Sequence, residues 1–401
     1  MTASRIPGWR VRVVYVIDSL AVGGAERSLA SMAPELVAGG AQLTVVALHR
    51  RAGLRDELLE AGAHVVEIDG GSRRTWPLQL VDIIRAVQPD LVHTTLFEAN
   101  QAGRVAARWT RRPVVSSLVN ETYGHDHVHD PSLRPWKVRA AQVVDASTSR
   151  VVVRFHAVSE RVRHVAVERL HLDPARIDVV PRGRDPAVLG RRSPHRRHAA
   201  RAALGIVDGD PVVLAVARQE HQKGLDVLLE AVARPGADHL RVVVAGRPGS
   251  ASARLVATVA RLGLGDRVTF LGARDDVAEL LCAADVFVLP SRREGMPGAL
   301  LEAMALEVPV VASDLPQVRE VLGSEAPWLV RPECPDLLAT ALTAAVEPSG
   351  PRARSVERAR QRFHDSYTTK AVAASMLAFY ERALSKSTAS PATSDQSTQH
   401  R

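Results

Sequence analysis

The sequence predicts an α/β protein with two doubly wound halves in tandem. Short apolar strands alternate with helical periods between residues 11 and 181, and a second alternation of the same kind starts at residue 211. A stretch rich in arginine, proline and histidine separates the two patterns at 185–210. Strands that alternate with helices are typical of parallel sheets covered by helices, so each half is predicted to be Rossmann-like.

The predicted strands are runs of four to seven mostly apolar residues, bounded by turn residues. Those of the first half lie at 11–17, 43–48, 64–68, 90–93, 113–119, 155–159 and 177–181. Those of the second half lie at 211–217, 240–246, 267–272, 286–290 and 308–313.

These patterns divide the chain into segments with different predicted roles. Residues 1–185 and 206–360 are the two domains, and residues 186–205 are a hinge between them. Residues 354–384 form one long predicted helix, and residues 385–401, rich in Ser, Thr and Gln, are expected to be a disordered tail.

Composition indicates a folded protein with a positive surface. Of 401 residues, 46% are hydrophobic and 24% charged, and the formal net charge is +8. Only four of the 52 basic residues are lysine. The positive excess fits nucleic acid, an anionic membrane surface or phosphorylated ligands, and charge alone does not choose among these partners.

The expected location is the cytoplasm. Cys282 and Cys334 are too few for a disulfide framework and lack metal-ligand spacing, which favours a reducing compartment. The apolar stretch at 11–17 is too short for a signal peptide or a membrane span. Membrane contact is therefore expected to be peripheral, at the inner membrane surface.

The first motif at a strand end is V-G-G-A-E-R, residues 22–27. Gly23 and Gly24 allow a ligand to approach the backbone closely, and the helix that follows them presents partial positive charge suited to phosphate. A tight turn that needs glycine explains the same residues without a ligand.

The second motif, A-R-Q-E-H-Q-K-G at 217–224, follows a buried strand. Arg218 and Lys223 would converge near a helix start and hold a diphosphate without a metal. The alternative is a solvated charged loop. The scarcity of lysine argues against that alternative, because a compact ammonium group was retained here.

The third motif is S-R-R-E-G-M-P-G-A-L-L-E-A-M-A at 291–305. Glu294 is predicted in the turn and Glu302 near the first turn of the following helix, with both facing one cleft while Leu301 and Met304 face the core. Carboxylates at a helix start often serve as caps or dipole partners. A pair of them also suits the hydroxyl groups of a sugar and a ribose.

Three further stretches give weaker signals. H-D-H-V-H-D at 125–130 has the composition of a metal-binding tract, although a solvated loop is the simpler interpretation. R-P-W-K-V-R at 134–139 suits either a lipid surface or an ordinary solvated face. G-R-P-G-S at 246–250 suits a phosphate or a simple loop.

The order of these motifs on the two halves resembles the GT-B glycosyltransferases of the group-1 type, called family GT4. The resemblance rests on G-G-A-E-R at 23–27, R-Q-E-H-Q-K-G at 218–224, F-L-G at 270–272 and P-S-R-R-E-G-M-P-G-A-L-L-E-A-M-A at 290–305, and it covers residues 11–384. It implies two domains facing across a cleft, with residues 361–384 as a helix that crosses back to the first domain.

The resemblance also implies roles for individual residues. Arg218 and Lys223 match the pair that holds the donor diphosphate, Glu294 matches the glutamate at the donor sugar, and Glu302 matches the one at the ribose. The turn formed by Gly295, Met296 and Pro297 would present backbone N–H groups to the donor, alongside Gly23 and Gly24.

Two departures from the family pattern are visible. Where many relatives have a cleft histidine, Asn120 stands on the acceptor side, and an amide cannot take up a proton. His125 is the other candidate for that position. The usual N-G-x-D turn is P-R-G-R-D at 181–185, which keeps only the glycine and the aspartate.

The expected function is sugar transfer from a nucleoside-diphosphate donor to a hydroxyl of a saccharide or lipid-linked acceptor. The resemblance implies retention of configuration, and we expect no metal, no cofactor and no nucleic-acid partner. The alternatives are a nucleotide-sugar epimerase on the same scaffold and a non-catalytic basic protein that binds nucleic acid or membranes.

Overall fold

The computed structural model describes residues 10–124, 134–207 and 209–387. Within these ranges the chain forms a seven-stranded and a six-stranded sheet, and the strands pair in parallel. The two sheets confirm the predicted α/β fold with two doubly wound halves.

The first sheet has the order β3-β2-β1-β4-β5-β6-β7. Its strands are β1 (Val11–Ser19), β2 (Ala41–His49), β3 (His64–Glu67), β4 (Leu91–Thr95), β5 (Val114–Leu118), β6 (Arg154–Ala157) and β7 (Ile177–Val179). Its helices are α1 (Gly24–Ala38), α2 (Arg55–Glu60), α3 (Trp76–Val87), α4 (Phe97–Trp109), α5 (Pro135–Thr148) and α6 (Glu160–Leu170).

The second sheet has the order β10-β9-β8-β11-β12-β13. Its strands are β8 (Val212–Val216), β9 (Arg241–Ala245), β10 (Val268–Gly272), β11 (Val286–Leu289), β12 (Val310–Ser313) and β13 (Leu329–Val330). The helices of this half are α7 (Pro186–Leu189), α8 (Pro194–Ala203), α9 (Leu225–Val232), α10 (Ser252–Arg261), α11 (Val277–Ala283), α12 (Gly298–Ala305), α13 (Pro316–Leu322), α14 (Pro335–Val346) and α15 (Gly350–Ser366).

The arginine-rich stretch predicted as a hinge contains ordered helices. In α8, Arg196 pairs with Glu279 of α11 at 2.7 Å, and Arg201, only 1% exposed, donates a hydrogen bond to the Val207 carbonyl at 2.8 Å. The high arginine content of this stretch therefore attaches it to the second half of the molecule.

The predicted long helix at 354–384 is two helices in the structure. α15 ends at Ser366, and α16 (Thr369–Ser387) then packs on the first half. Its Val372, Met376 and Phe379 lie in one apolar cluster with residues of β1, β2 and α1. The chain thus crosses back at Tyr367 and Thr368, because hydrogen bonds to Arg184 replace helical ones there.

The strand orders determine where a ligand site can form. Each order reverses once, between β1 and β4 and between β8 and β11. Open parallel sheets bind ligands beyond the carboxyl ends of the strands at such a reversal. The loops after β1, β8 and β11, which carry the three sequence motifs, occupy these positions.

Candidate active site

Lys223 and Glu294 form the central ion pair of the site. The Lys223 Nζ lies 2.7 Å from the Glu294 Oε1, and the Ser291 hydroxyl donates to the same oxygen at 2.7 Å. The two charged side chains are 18% and 6% exposed. The structure thus brings together residues from two of the predicted motifs and holds the Glu294 carboxylate in one orientation.

Gly224 positions Lys223 at this contact. It has a φ of +62° and is the residue that precedes α9. A Cβ atom at Gly224 would overlap with the Pro290 carbonyl oxygen. Only glycine meets both conditions without strain, so the loop after β8 can lie directly against the loop after β11.

The Glu294 loop is also held by hydrogen bonds that connect it to the first half of the molecule. Gln317 donates to the Glu294 carbonyl at 2.8 Å and to the Glu121 carboxylate at 3.0 Å. The Ser159 hydroxyl donates to the Gly295 carbonyl at 3.0 Å. These hydrogen bonds join the two halves beside the Lys223–Glu294 pair.

Asn120, the predicted acceptor-side residue, lies at the same junction. A Cβ atom at Gly295 would overlap with the Val119 carbonyl oxygen and lie 3.0 Å from the Asn120 Cα. The Asn120 side-chain oxygen accepts a hydrogen bond from the Glu121 N–H at 2.9 Å. His125 lies outside the described residues, as do the rest of 125–130 and residues 388–401 of the predicted tail. The first three residues of that predicted tail, 385–387, belong to α16 instead, because the helix continues to Ser387.

Glu302 forms a second ion pair, with a residue that the sequence did not single out. The Arg184 Nε lies 2.5 Å from the Glu302 Oε1, and the side chains are 7% and 14% exposed. α12 begins at Gly298, so Glu302 is its fifth residue and lies directly after the first turn, near the predicted place.

Leu301 and Met304 face the core as predicted, and both are fully buried. Pro297 precedes α12 with an extended backbone. It has no N–H to offer a ligand, so the backbone donors of the predicted turn are limited to its neighbours Gly295 and Met296.

Gly23 and Gly24 lie beside two charged residues, Glu26 and Arg182. A Cβ at Gly23 would overlap with the Glu26 carboxylate, and one at Gly24 with the Arg182 guanidinium. The Arg182 N–H lies 3.0 Å from the Met296 sulfur. The turn after β1 therefore meets the turn after β11 through Arg182.

Burial shifts the titration of both charged groups. It lowers the pKa of Arg182 to about 10, and the charge of Arg184 acts in the same direction. Burial raises the pKa of Glu26, while Arg182, Arg247 and Arg218 oppose that rise. Arg182 still carries its proton near neutral pH, so the cleft holds a desolvated cation beside Gly24.

A further titratable cluster lies at the ends of β1 and β2. The Asp18 carboxylate accepts a hydrogen bond from the Ala99 N–H at 2.7 Å, and burial raises the pKa of Asp18 to about 6. Glu98 next to it contacts His49 at 2.6 Å and Arg73 at 2.8 Å. These groups lie at the carboxyl ends of the strands, on the same side of the sheet as the turn that contains Gly23 and Gly24.

The other predicted features concern Arg218, the basic stretch at 134–139, metal binding and membrane spans. Arg218 is exposed, and its side chain has no ion-pair partner among the described residues. Trp136, at the start of α5, is 64% exposed with the Lys137 ammonium 5.6 Å from its ring centre.

The described ranges contain no group of three His, Cys, Asp or Glu side chains arranged to hold a metal ion. No helix within those ranges has the length and apolar character needed to cross a membrane.

Sequence reasoning missed Glu26, Arg182, Arg184, Gln317 and Glu121. The altered turn P-R-G-R-D was a usable signal for Arg182, which stands where the family pattern has asparagine, whereas Arg184 stands at the variable position of that pattern. Glu121 and Gln317 gave no signal, since their pairing depends on how the two halves pack.

Two parallel sheets that meet at an ion-paired cleft define the class of two-domain proteins with the GT-B fold. Residues 196–362 match the family described as glycosyl transferases group 1, and residues 22–188 match glycosyltransferase family 4. A D-inositol 3-phosphate glycosyltransferase of Mycobacterium avium (strain 104) is 34% identical over 313 residues, which is 74% of this chain and 70% of that protein. The chain belongs to the group-1 glycosyltransferase family, GT4.

Other curated relatives match over a shorter region. A D-inositol 3-phosphate glycosyltransferase of Mycobacterium sp. (strain KMS) is 35% identical over 236 residues, covering 56% of this chain and 51% of the relative. The chain thus spans about half the length of several curated relatives that it matches.

Solved structures share the fold. HepE of Anabaena in complex with UDP and glucose has a TM-score of 0.80 at 21% identity, covering 93% of this chain and 100% of that one. Sucrose-phosphate synthase of Thermosynechococcus elongatus has a TM-score of 0.78 at 19% identity, covering 94% and 100%.

Proposed function

We propose that the chain transfers a sugar from a nucleoside-diphosphate donor to an acceptor hydroxyl, with retention of configuration and without a metal. The observation that carries the proposal is the Lys223–Glu294 contact at the reversal of the second sheet, directly beside the first half. The names of the D-inositol 3-phosphate glycosyltransferases and the UDP and UDP-glucose bound by HepE support it.

Negative charge accumulates on the departing diphosphate as the bond to the sugar breaks. Lys223 and Arg218, with the start of α9, would stabilise that charge in place of a divalent cation. Glu294 would accept hydrogen bonds from sugar hydroxyls, and Glu302 from the ribose. A departing phosphate oxygen would take the acceptor proton on the same face of the sugar, so no separate base is needed.

The contacts of Gly295 with Val119 and Ser159 suit a reaction that must exclude water, the competing acceptor. They lie beside Glu294 and link both halves. A closed junction there would keep water from the sugar while the diphosphate departs.

Donor binding is the first test. Thermal unfolding with UDP-, GDP- and TDP-sugars should show selective stabilisation by one nucleotide, because a ligand that binds only the folded state raises its stability. Absence of stabilisation by any of these donors would contradict the proposal.

Transfer is the second test. The stabilising donor is incubated with myo-inositol phosphate, saccharide and lipid-linked acceptors in the presence of EDTA. A glycosylated product that keeps the donor's anomeric configuration is expected. Complete dependence on added Mg²⁺ or Mn²⁺ would contradict metal independence. An epimerised nucleotide sugar formed from donor alone would favour the epimerase alternative.

A further inference from the structure

The turn at 181–185 places two arginines, Arg182 and Arg184, in the cleft, and their surroundings differ. Arg184 is ion-paired with Glu302. Arg182 lies against Gly24, and its buried Nε has no hydrogen-bond partner in the part of the chain that the structure describes. A guanidinium that is partly desolvated and lacks an acceptor is costly unless a ligand supplies one.

The charges around Arg182 leave an excess of cations. The Arg182 guanidinium lies against Gly24 and the Glu26 carboxylate against Gly23, so the two charged groups are neighbours at the turn after β1. The charges of Arg182, Arg247 and Arg218 all oppose the rise in the pKa of Glu26 that burial causes, and Glu294 and Glu26 both act on Arg182. Arg218 and Arg247 are exposed and form no ion pair with a described residue. The neighbouring Lys223–Glu294 and Arg184–Glu302 pairs are already neutral. The charged side chains near this turn that have no ion-pair partner among the described residues therefore include more than one guanidinium group.

A phosphate group suits this arrangement better than another anion. It carries up to two negative charges, and its oxygens match the planar fork of a guanidinium. Gly24 begins α1 and lies against the Arg182 guanidinium, so backbone N–H groups at the helix start are available to the same anion.

We propose that Arg182 binds a phosphate group of a substrate in the cleft, as a third cation beside Arg218 and Lys223 that the first half of the molecule supplies. This inference rests on the proposed function and adds a residue to its phosphate site. The phosphate belongs either to the diphosphate of the donor or to a phosphorylated acceptor, and binding measurements with UDP and with myo-inositol phosphate distinguish the two sources.

The first arm measures binding of UDP and of uridine by calorimetry to the full chain and to Arg182→Gln. We expect Arg182→Gln to weaken UDP binding about tenfold or more and to leave uridine binding unchanged, because a charged hydrogen bond to phosphate is lost. Arg182→Lys keeps the positive charge but loses the two parallel N–H donors of the guanidinium, so its affinity for UDP should lie between those of the unaltered chain and Arg182→Gln. Arg261→Gln is the matched control, since Arg261 is exposed at the carboxyl end of α10, remote from the cleft.

The second arm repeats the comparison with myo-inositol phosphate and myo-inositol. A loss confined to the phosphorylated polyol assigns Arg182 to the acceptor, and a loss confined to UDP assigns it to the donor. Thermal unfolding without ligand checks the fold, and Arg182→Gln should unfold no earlier than the unaltered chain because it removes a desolvated charge.

Equal affinity of the unaltered chain and Arg182→Gln for both phosphorylated probes overturns the inference, and so does a parallel loss for uridine and UDP. An unaltered chain that binds no nucleotide overturns the proposed function itself. The two failures are therefore distinguishable.

Discussion

The two halves of the molecule place their polar groups differently at the carboxyl ends of the strands. In the second half, the strands are almost entirely apolar, and the polar groups Lys223, Ser291 and Glu294 lie in the loops beyond them. In the first half, His93 and His156 lie within the strands and are buried. Polar groups in loops are available to a ligand, whereas polar groups inside a sheet hold the protein together.

The buried groups of the first half form one hydrogen-bonded chain. His93 contacts the Tyr380 hydroxyl at 2.8 Å and the Ser117 hydroxyl at 2.7 Å. Ser117 contacts His156 at 2.9 Å, and His156 contacts the Val180 carbonyl at 2.8 Å. Because Tyr380 belongs to α16, this chain attaches the last helix to the first sheet.

The largest expected effect is loss of activity in Lys223→Ala. It removes a cation from the diphosphate and leaves Glu294 without its ion-pair partner. We expect turnover to fall by about 10²- to 10³-fold, as for loss of one charge-stabilising group in an active site. Lys137→Ala, which removes an exposed lysine, is the control. Unchanged steady-state kinetics would remove Lys223 from the mechanism.

The second effect is structural and tests whether the loops of the second half must touch. Gly224 and Gly205 have φ angles of +62° and +64°, but only Gly224 has a neighbour that a Cβ would meet. Both alanine variants bear the left-handed strain of about 1 kcal/mol. Gly224→Ala should cost about 1–3 kcal/mol more through overlap with the Pro290 carbonyl. Equal urea midpoints for Gly224→Ala and Gly205→Ala would contradict this expectation, because they would show that the loop at Gly224 moves away from Pro290 at no cost in stability.

These two regions also show what the sequence could predict. The loops after β8 and β11 are each specified by a short local run, so the sequence alone predicts Lys223 and Glu294 as candidate site residues, and the structure places their side chains in contact. The Arg184–Glu302 pair joins residues 118 positions apart. It depends on how the crossover packs on α12, which no local pattern encodes.

Two features of the structure that the sequence did not predict have similar physical causes. The sequence predicts one helix from Arg354 to Leu384, whereas in the structure the backbone of Tyr367 and Thr369 bonds to Arg184 where the helix breaks. The composition at 186–205 is typical of a linker. In the structure, however, its arginines form ion pairs and hydrogen bonds with carboxylates and carbonyls of the second half. The fold class, by contrast, follows from strand periodicity along the whole chain.

The third effect is a pH dependence that arises in the first half. Burial lowers the pKa of His93 well below its usual value and that of His156 to about 4. Below about pH 6.5 the unfolded chain binds protons that the folded chain excludes, so stability falls as pH decreases towards 4. Each histidine contributes a slope of about 1.4 kcal/mol per pH unit in that window.

His156→Gln should therefore show a shallower fall in the free energy of unfolding between about pH 6 and pH 4.5. Asp18 acts in the opposite direction, because its raised pKa favours the folded state as pH decreases towards 4. Asp18 is present in the unaltered chain and in His156→Gln, so its contribution to the slope cancels when the two are compared. His239→Gln, which removes an exposed histidine, should leave the slope unchanged. The same slope in His156→Gln as in the unaltered chain would contradict the claim that buried His156 causes part of the loss of stability at low pH.

The smallest effect compares one substitution in each half. Tyr380→Phe removes the hydroxyl bonded to His93 and leaves a fully buried ring nitrogen without a partner, at a cost of about 1–3 kcal/mol. Tyr367→Phe removes a hydroxyl that donates to the Glu320 carbonyl at 3.1 Å in a partly exposed setting, where water can replace it. Urea unfolding should show the larger loss for Tyr380→Phe, while stabilisation by UDP should remain the same in both variants. A loss of UDP binding in Tyr380→Phe would mean that the buried chain of the first half serves the ligand site as well as the attachment of α16.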